Sequence, residues 1–449
     1  MIGKDKLAEL LRPLVNSQRA DGIEAVVIAH DSGLTRFANN TIHQNVATDN
    51  AQVSLRTILG GRIGLASTNR LDAQSLDQCL ERSLQIAELM PATPDWPGLP
   101  APTPLEPLET FDQQTAELDP AGRAQIVKRI IAVAQDAGQS TAGAFKTGAT
   151  EVAVFSSAGM ERYQPLTGAA LTVVNQHEDG SGYASEAARA VEQVDYMRAA
   201  QTAMRKAETS RGPGALDPGT YDVLLEPEAV AGAIEWLNFI GFGSRSFEQQ
   251  TGFLAGRRDN KIAGDQITIV DDGRHPGALP MPFDFEGVPR RRVPLIQGGL
   301  AKGPVHCTLS GARAGTVSTG HALPPEESSE GALPLNLVVE PGPENPQQML
   351  EGLERGILIT RFHYINGFLD TRKAVLTGLT RDGTFWVENG KIIRPLKQLR
   401  FTQNFIEAFS NVAALGNERR TVTSWWGELG AIYAPAMLIR GFKITGITG

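Results

Sequence analysis

Leu7, Leu10, Leu11 and Leu14 recur at helical spacing, so the chain opens on an amphipathic helix. The pattern then shortens. Ile23–Gly33 and Leu34–Asn50 read as strands separated by a turn at Asp31-Ser32-Gly33, and Ala51–Thr68 reads as a further pair turning at Gly60-Gly61. Apolar residues at 76, 80, 84 and 87 restore the helical period across Leu71–Met90, with Asp72 as its cap.

Pro91–Phe111 is dense in proline and has no hydrophobic period, which marks a linker or an extended surface crossing. Asp119–Gly138 is a helix with Pro120 in its first turn and Gly138 past its end. Strands joined by Gly and Ser turns follow over 141–188, and Val194–Arg211 is again helical. Gly212–Pro227 marks a second boundary. Beyond it a helix over Leu224–Leu237 leads into many short strands with Gly and Pro turns, and a late helix spans about Gln403 to Leu415. The expected organisation is an N-terminal unit over 1–90, a proline-rich linker over 91–115, a central unit over 116–212 and a strand-rich unit over 213–449. Strands grouped apart from helices predict α+β, with mixed N-terminal and central units and a strand-rich C-terminal domain. There is no short internal repeat.

Composition narrows the class. Of 449 residues, 41% are hydrophobic and 20% charged, as in an ordinary globular protein, and the formal net charge is -8. That balance argues against a nucleic-acid or anionic-membrane partner. Arg290-Arg291-Arg292, flanked by Pro289 and Pro294, reads as a solvated turn. Two cysteines far apart, Cys79 and Cys307, exclude a disulfide scaffold or a zinc ribbon and fit a reducing compartment. With no signal peptide and no uncharged apolar run of membrane-spanning length, the expected location is the cytoplasm.

Candidate chemistry is sparse. No two of the seven histidines are spaced four apart on a helix, and His306-Cys307 would point to opposite faces of a strand. GxSxG, SxxK and phosphate-loop signatures are absent; Gly241-Phe242-Gly243 is only a fragment, and Asp271-Asp272-Gly273 reads as a turn. By exclusion Glu228 is the most site-like residue, although an acid in a helix's first turn after Pro227 also suits the helix dipole. Glu235, two turns on, reads as a surface or polar-seam residue.

Three segments carry a resemblance: TRFANNTIHQNVATDNAQVSLRTILGGRIGLASTNRLD, ITIVDDGRHPGALPMPFDFEGVPRRRVPLIQGGLAKGPV and DGTFWVENGKIIRPLKQLRFTQNFIEAFSNVAALGNERR. In that order they resemble the TldD/PmbA family across nearly the whole chain. The family includes zinc peptidase subunits with a helical HExxxH, whose histidines bind zinc and whose glutamate is the general base, with a C-terminal cysteine as third ligand. It also includes TldE- or PmbA-type subunits without the metal site. Laid onto this chain, HExxxH falls on residues 227–232, where only Glu228 matches. Pro227 and Gly232 stand at the histidine positions, and TSWWGELGAIYAPAMLIRGFKI has no cysteine. These are degenerate metal-site positions; no catalytic and no metal-binding residue is expected in this chain.

The resemblance implies a metal-free subunit of a heterodimeric metalloprotease complex, with zinc in a TldD-like catalytic partner and unfolded or leader peptides as substrates. This chain would shape the chamber and the interface, and a homodimer is open to it when alone. The competing expectations are a stand-alone hydrolase built on Glu228, His306, Cys307 and His363, and a non-proteolytic homodimeric binding protein.

Overall fold

The computed structural model describes residues 1–424 and 429–447. Helix α1 (Lys4–Val15) buries Leu7, Ala8, Leu11 and Val15. Strand β1 (Gly22–Ala38) then runs unbroken into β2 (Thr41–Leu59). The turn predicted at Asp31-Ser32-Gly33 is not there; the chain reverses at Asn39-Asn40, both at positive φ, a pairing suited to a two-residue hairpin. Gly33 answers a different need, since a Cβ there would stand 2.2 Å from the Arg123 guanidinium. The Gly60-Gly61 turn, at φ 58° and 74°, leads into β3 (Arg62–Thr68). Helix α2 (Ala73–Leu89) is capped by Asp72, whose carboxylate accepts from the Ser75 N–H at 2.9 Å.

Past the proline-rich crossing come α3 (Gln113–Ala116), α4 (Pro120–Asp136), β4 (Ser140–Ser156), β5 (Glu161–His177), β6 (Gly180–Ala188) and α5 (Tyr196–Thr209). The stretches on either side of the crossing each contribute three strands to one sheet, ordered β3-β2-β1-β4-β5-β6. One face is covered by helices: α1 and α2 pack on Ala25, Val27 and Leu55, while α4 and α5 pack on Phe37, Phe145 and Leu171. The other face looks toward the C-terminal region.

That region begins with β7 (Gly219–Leu225) and α6 (Pro227–Leu237), which widens into a π-helical turn over Asn238–Phe242. It continues through α7 (Ser244–Glu248), β8 (Ile269–Asp271), β9 (Val293–Gln297), β10 (Leu300–Ala301), α8 (Thr308–Arg313), β11 (Asn336–Val339) and α9 (Pro346–Glu351). The last elements are β12 (Arg355–Asp370), β13 (Val375–Glu388), β14 (Lys391–Pro395), β15 (Leu399–Asn404), α10 (Phe405–Ser410), β16 (Val412–Thr423) and β17 (Ala431–Ile447). Strand β7 pairs with both β12 and β17, so β17-β15-β13-β12-β7 closes on itself as a barrel. The chain is α+β, with a strand-rich C-terminal domain.

Two local expectations are corrected here. The late helix is six residues, not thirteen: Asn404 caps it, and from Val412 the backbone pairs with β17 instead. Arg290 and Asp271 form a buried ion pair at 3.0 Å, so neither the arginine run nor the DDG is simply a solvated turn. Asp271 ends β8, and Gly273 admits the Arg290 side chain, to which a Cβ would come within 2.7 Å.

Candidate functional site

Helix α6 starts where β7 leaves the barrel. Six of its eleven residues, Ala229, Val230, Ala231, Ala233, Ile234 and Leu237, are buried, and they join a core with Val223, Ile357 and Met437. Pro227 takes the first helical position, where the missing N–H is not needed. Before it, Glu226 is extended, and its N–H donates to the Ile359 carbonyl at 3.0 Å. The Glu226 carboxylate does not cap the helix; it accepts from Lys206 Nζ at 2.5 Å. Lys206 lies on α5, so this half-buried pair ties the N-terminal sheet's helical layer to the start of α6.

Glu228 is half-buried. Burial pushes its carboxyl above the ordinary range and Glu226 adds to this, while Lys206 and Arg420 pull it down. Tyr183 on β6 lies close by: burial raises its hydroxyl, as does Glu228, against the pull of Arg361 stacked 4.3 Å from its ring. Arg361 Nε donates to Asp382 at 2.9 Å, and Asp382 also accepts from Ser181 Oγ at 2.8 Å. Arg420 on β16 approaches Glu186 to 3.4 Å, and Arg198 of α5 reaches the same carboxylate at 2.7 Å. The seam between the sheet and the barrel is thus bridged by charges drawn from both. Gly232, one turn along, faces β12: a Cβ there would lie 3.2 Å from Ile365 Cδ1. Glu235 accepts from Ser424 Oγ at 2.6 Å.

A zinc ion does not fit the residues around α6. Proline and glycine supply no donor, Ile365 stands against the Gly232 position, and the cations nearest Glu228 oppose a further positive charge. Among the described residues no group of three or more His, Cys, Asp or Glu side chains is placed to hold a metal ion. Part of the cysteine-free stretch Thr423–Ile444, residues 425–428, lies outside the described residues.

The other candidates are dispersed. The His306 N–H donates to Thr319 Oγ1 at 2.7 Å, and burial lowers the imidazole. Cys307 is not in a strand beside His306 but caps α8, with Sγ 3.3 Å from Ser310 Oγ. Burial and Glu286 push its thiol up, the opposite of what an activated nucleophile needs. His363 lies on β12, lowered by burial and by Arg381 and Arg361. Among the described residues no hydrogen bond or ion pair joins Glu228 to any of these three. Sequence reasoning did not find Lys206, Tyr183 and Arg420, the groups that do surround Glu228, nor Arg361, which stacks on Tyr183. They come from four separate elements, and no local pattern connects them.

The PmbA/TldA metallopeptidase C-terminal domain matches residues 218–446, and PmbA/TldA metallopeptidase domain 1 matches residues 23–87. The chain belongs to the TldD/PmbA family. It is 23% identical over 239 residues to a metalloprotease of Methanothermobacter thermautotrophicus, covering 52% of this chain and 50% of that one. It is 26% identical over 243 residues to the metalloprotease PmbA of Escherichia coli, covering 53% and 47%. The matched stretch thus spans about half the length of these relatives. In fold it resembles the crystal structure of TldE from Thermococcus kodakarensis, at TM-score 0.87 and 21% identity, over 98% of this chain and 100% of that one. A structure from Thermotoga maritima described as a putative modulator of a DNA gyrase aligns at TM-score 0.86 and 19% identity, over 98% and 99%.

Proposed function

We propose that this chain is the metal-free subunit of a two-subunit metalloprotease that processes unstructured peptides, with zinc held by an HExxxH-bearing partner. The observation that carries the reading is the start of α6: Glu228 has proline and glycine where ligands would stand, and Lys206 and Arg420 as its nearest opposite charges. A general base needs a water to deprotonate, and zinc needs about three protein ligands to activate one. In this reading the ion pairs at the seam hold sheet and barrel in one arrangement, and the chain supplies chamber wall and interface. It acts in the cytoplasm. No helix among the described residues is long and apolar enough to cross a membrane.

The test is co-expression with the HExxxH homologue, followed by size-exclusion chromatography, zinc analysis and a peptidase assay on an unfolded substrate. The expected result is co-elution, about one zinc per heterodimer, and activity lost when the partner's glutamate is changed but kept in Glu228→Gln of this chain. Separate elution, or activity that follows Glu228, overturns the reading.

A further inference from the structure

The segment MPFDFEGVPR, Met281–Arg290, crosses from the C-terminal region onto the sheet. Met281, Phe283 and Phe285 pack on Val26, Val152 and Val154. Asp284 closes a tight turn: one oxygen accepts from the Glu286 and Val288 N–H groups, both at 2.9 Å, and the other from the Ala322 N–H at 2.8 Å. The turn brings Glu286 within 3.4 Å of Arg56 on β2, and the second Glu286 oxygen accepts from the Thr308 N–H at 2.9 Å. Arg56 also donates to Glu24, its register partner on β1, at 2.6 Å. The segment is a strap, tied to the sheet through one guanidinium.

The charges at this tie do not balance. Glu24, Asp284 and Glu286 are 1%, 0% and 4% exposed, and among the described residues only Arg56 forms an ion pair with any of them. Glu24 keeps one oxygen, and Arg56 its Nε, without a partner among the described residues. Trp96 of the proline-rich crossing lies 5.4 Å over the guanidinium, whose side chain is 11% exposed. The surrounding charges are committed elsewhere: Glu326 to Ser54, Arg313 to Asp95, Arg290 and His321 to Asp271, and Arg162 to the Gly287 carbonyl. Cys307, next to Thr308, keeps its proton, because burial and Glu286 push the thiol up. Fully ionised carboxyls would leave uncompensated negative charge in a dry site, so bound protons make up the deficit. Burial pushes Glu24 and Asp284 up, and Glu286 adds to both.

We infer that Met281–Arg290 is a proton-coupled strap: closed on the sheet it holds protons at the tie, opened it releases them to water. Mild acid therefore tightens it and neutral pH loosens it. The sign follows from the deficit, since a carboxyl raised in the closed state contributes stability that is fully present below its open-state value. That stability is lost as pH rises through the closed-state value. Opening uncovers Val26, Val152 and Val154, so a change in pH becomes exposure of an apolar surface between sheet and barrel. The inference goes beyond the function proposed above and does not rest on it, since every group involved belongs to this chain.

Amide hydrogen exchange of the purified chain, read by mass spectrometry and corrected for the intrinsic pH dependence of exchange, tests it. The window is that of Glu24, from about pH 4.5 to 7. Across it, protection over residues 281–290 should fall by about tenfold or more, while β12 and β13 of the barrel keep theirs. Glu24→Gln and Glu286→Gln each remove one buried negative charge and keep the size of the side chain. Each should reduce the fall to about threefold or less, and two separate positions keep the test decisive if one variant does not fold. Protection over 281–290 that is indifferent to pH, a loss shared equally by the barrel, or a fall that the glutamine variants reproduce in full would overturn the inference. None of these measurements involves the partner, so failure here is distinct from failure of co-elution or peptidase activity.

Discussion

Asp271 and Glu24 are both fully buried carboxylates beside an arginine, one inside the C-terminal region and one where the sheet meets it. Asp271 has every lone pair answered. Arg290 Nη2 at 3.0 Å and His321 Nε2 at 2.8 Å donate to one oxygen, and the N–H groups of Leu335 and Asn336 donate to the other at 2.8 and 2.7 Å. Burial alone would raise Asp271, but Arg290 and His321 outweigh it and hold the carboxyl well below its usual range. Glu24 accepts from Arg56 at 2.6 Å through one oxygen, while its second oxygen has no partner among the described residues. Arg56 is shared with Glu286, 3.4 Å away on the C-terminal side. Burial therefore wins, and Glu24 is pushed up to about 7. The same two charge types give a rigid strut in one place and a titratable joint in the other, and the difference lies in how many donors the fold supplies.

The largest expected effect comes from breaking the cluster in which the carboxylate is fully satisfied. Asp271→Asn leaves Arg290 buried without a counter-charge, and removal of one partner from a buried pair costs about 3–5 kcal/mol. Thermal unfolding of the C-terminal region should shift down by many degrees, with His321 and the β8–β11 pairing losing their shared anchor. A melting temperature within a degree or two of the parent would show that the pair is not desolvated as the structure has it.

The unsatisfied cluster should reveal itself through pH. Glu24 rises from 4.5 to about 7 on folding. A carboxyl raised in this way contributes stability that is fully present below its unfolded value and is lost as pH rises through the folded value. The window therefore runs from roughly pH 4.5 to 7, and the size is on the order of 3 kcal/mol. Asp271 has the opposite sign, its contribution being lost only in strong acid, so the two do not overlap. In Glu24→Gln the decline in melting temperature between about pH 4.5 and 7 should flatten. Parallel curves for parent and variant would mean that Glu24 is ionised throughout and that Arg56 serves it fully.

Neither cluster was legible in the sequence. Asp271-Asp272-Gly273 has the composition of a turn and Arg290-Arg291-Arg292 that of a solvated run, because residue type reports local preference and burial is a tertiary outcome. Gly33 failed for a related reason: in a strand, glycine can mark the close approach of another side chain, here Arg123, as readily as a turn. The elements with a strong period were legible, α1, α2, α4 and α5 among them, and so was the start of α6 at Pro227. The late helix was overrun because pairing of Val412–Thr423 with β17 outweighs helical spacing. At the candidate site, the absence of side-chain donors at 227 and 232 could be read directly from the chain. The cations around Glu228 could not, since Lys206 arrives from α5 and Arg420 from β16.

Those cations make the start of α6 a third case, between the strut and the joint. Glu226 and Glu228 lie two residues apart, and Lys206 faces both while contacting only Glu226. The Lys206–Glu226 pair retains 15% and 27% side-chain exposure, so solvent screens it and its worth is about 1 kcal/mol, the smallest effect of the three. Lys206→Met keeps the apolar stem over the seam and removes only the charge. Glu226 then loses its donor, and Glu228 keeps Arg420 as its neighbouring cation among the described residues, so the Glu228 carboxyl should move further up. The readout is a fall in melting temperature of a few degrees at low salt that shrinks toward high salt, because a half-exposed pair is screened where the Asp271 cluster is not. A loss as large as that of Asp271→Asn, or one indifferent to salt, would place Lys206 among the struts.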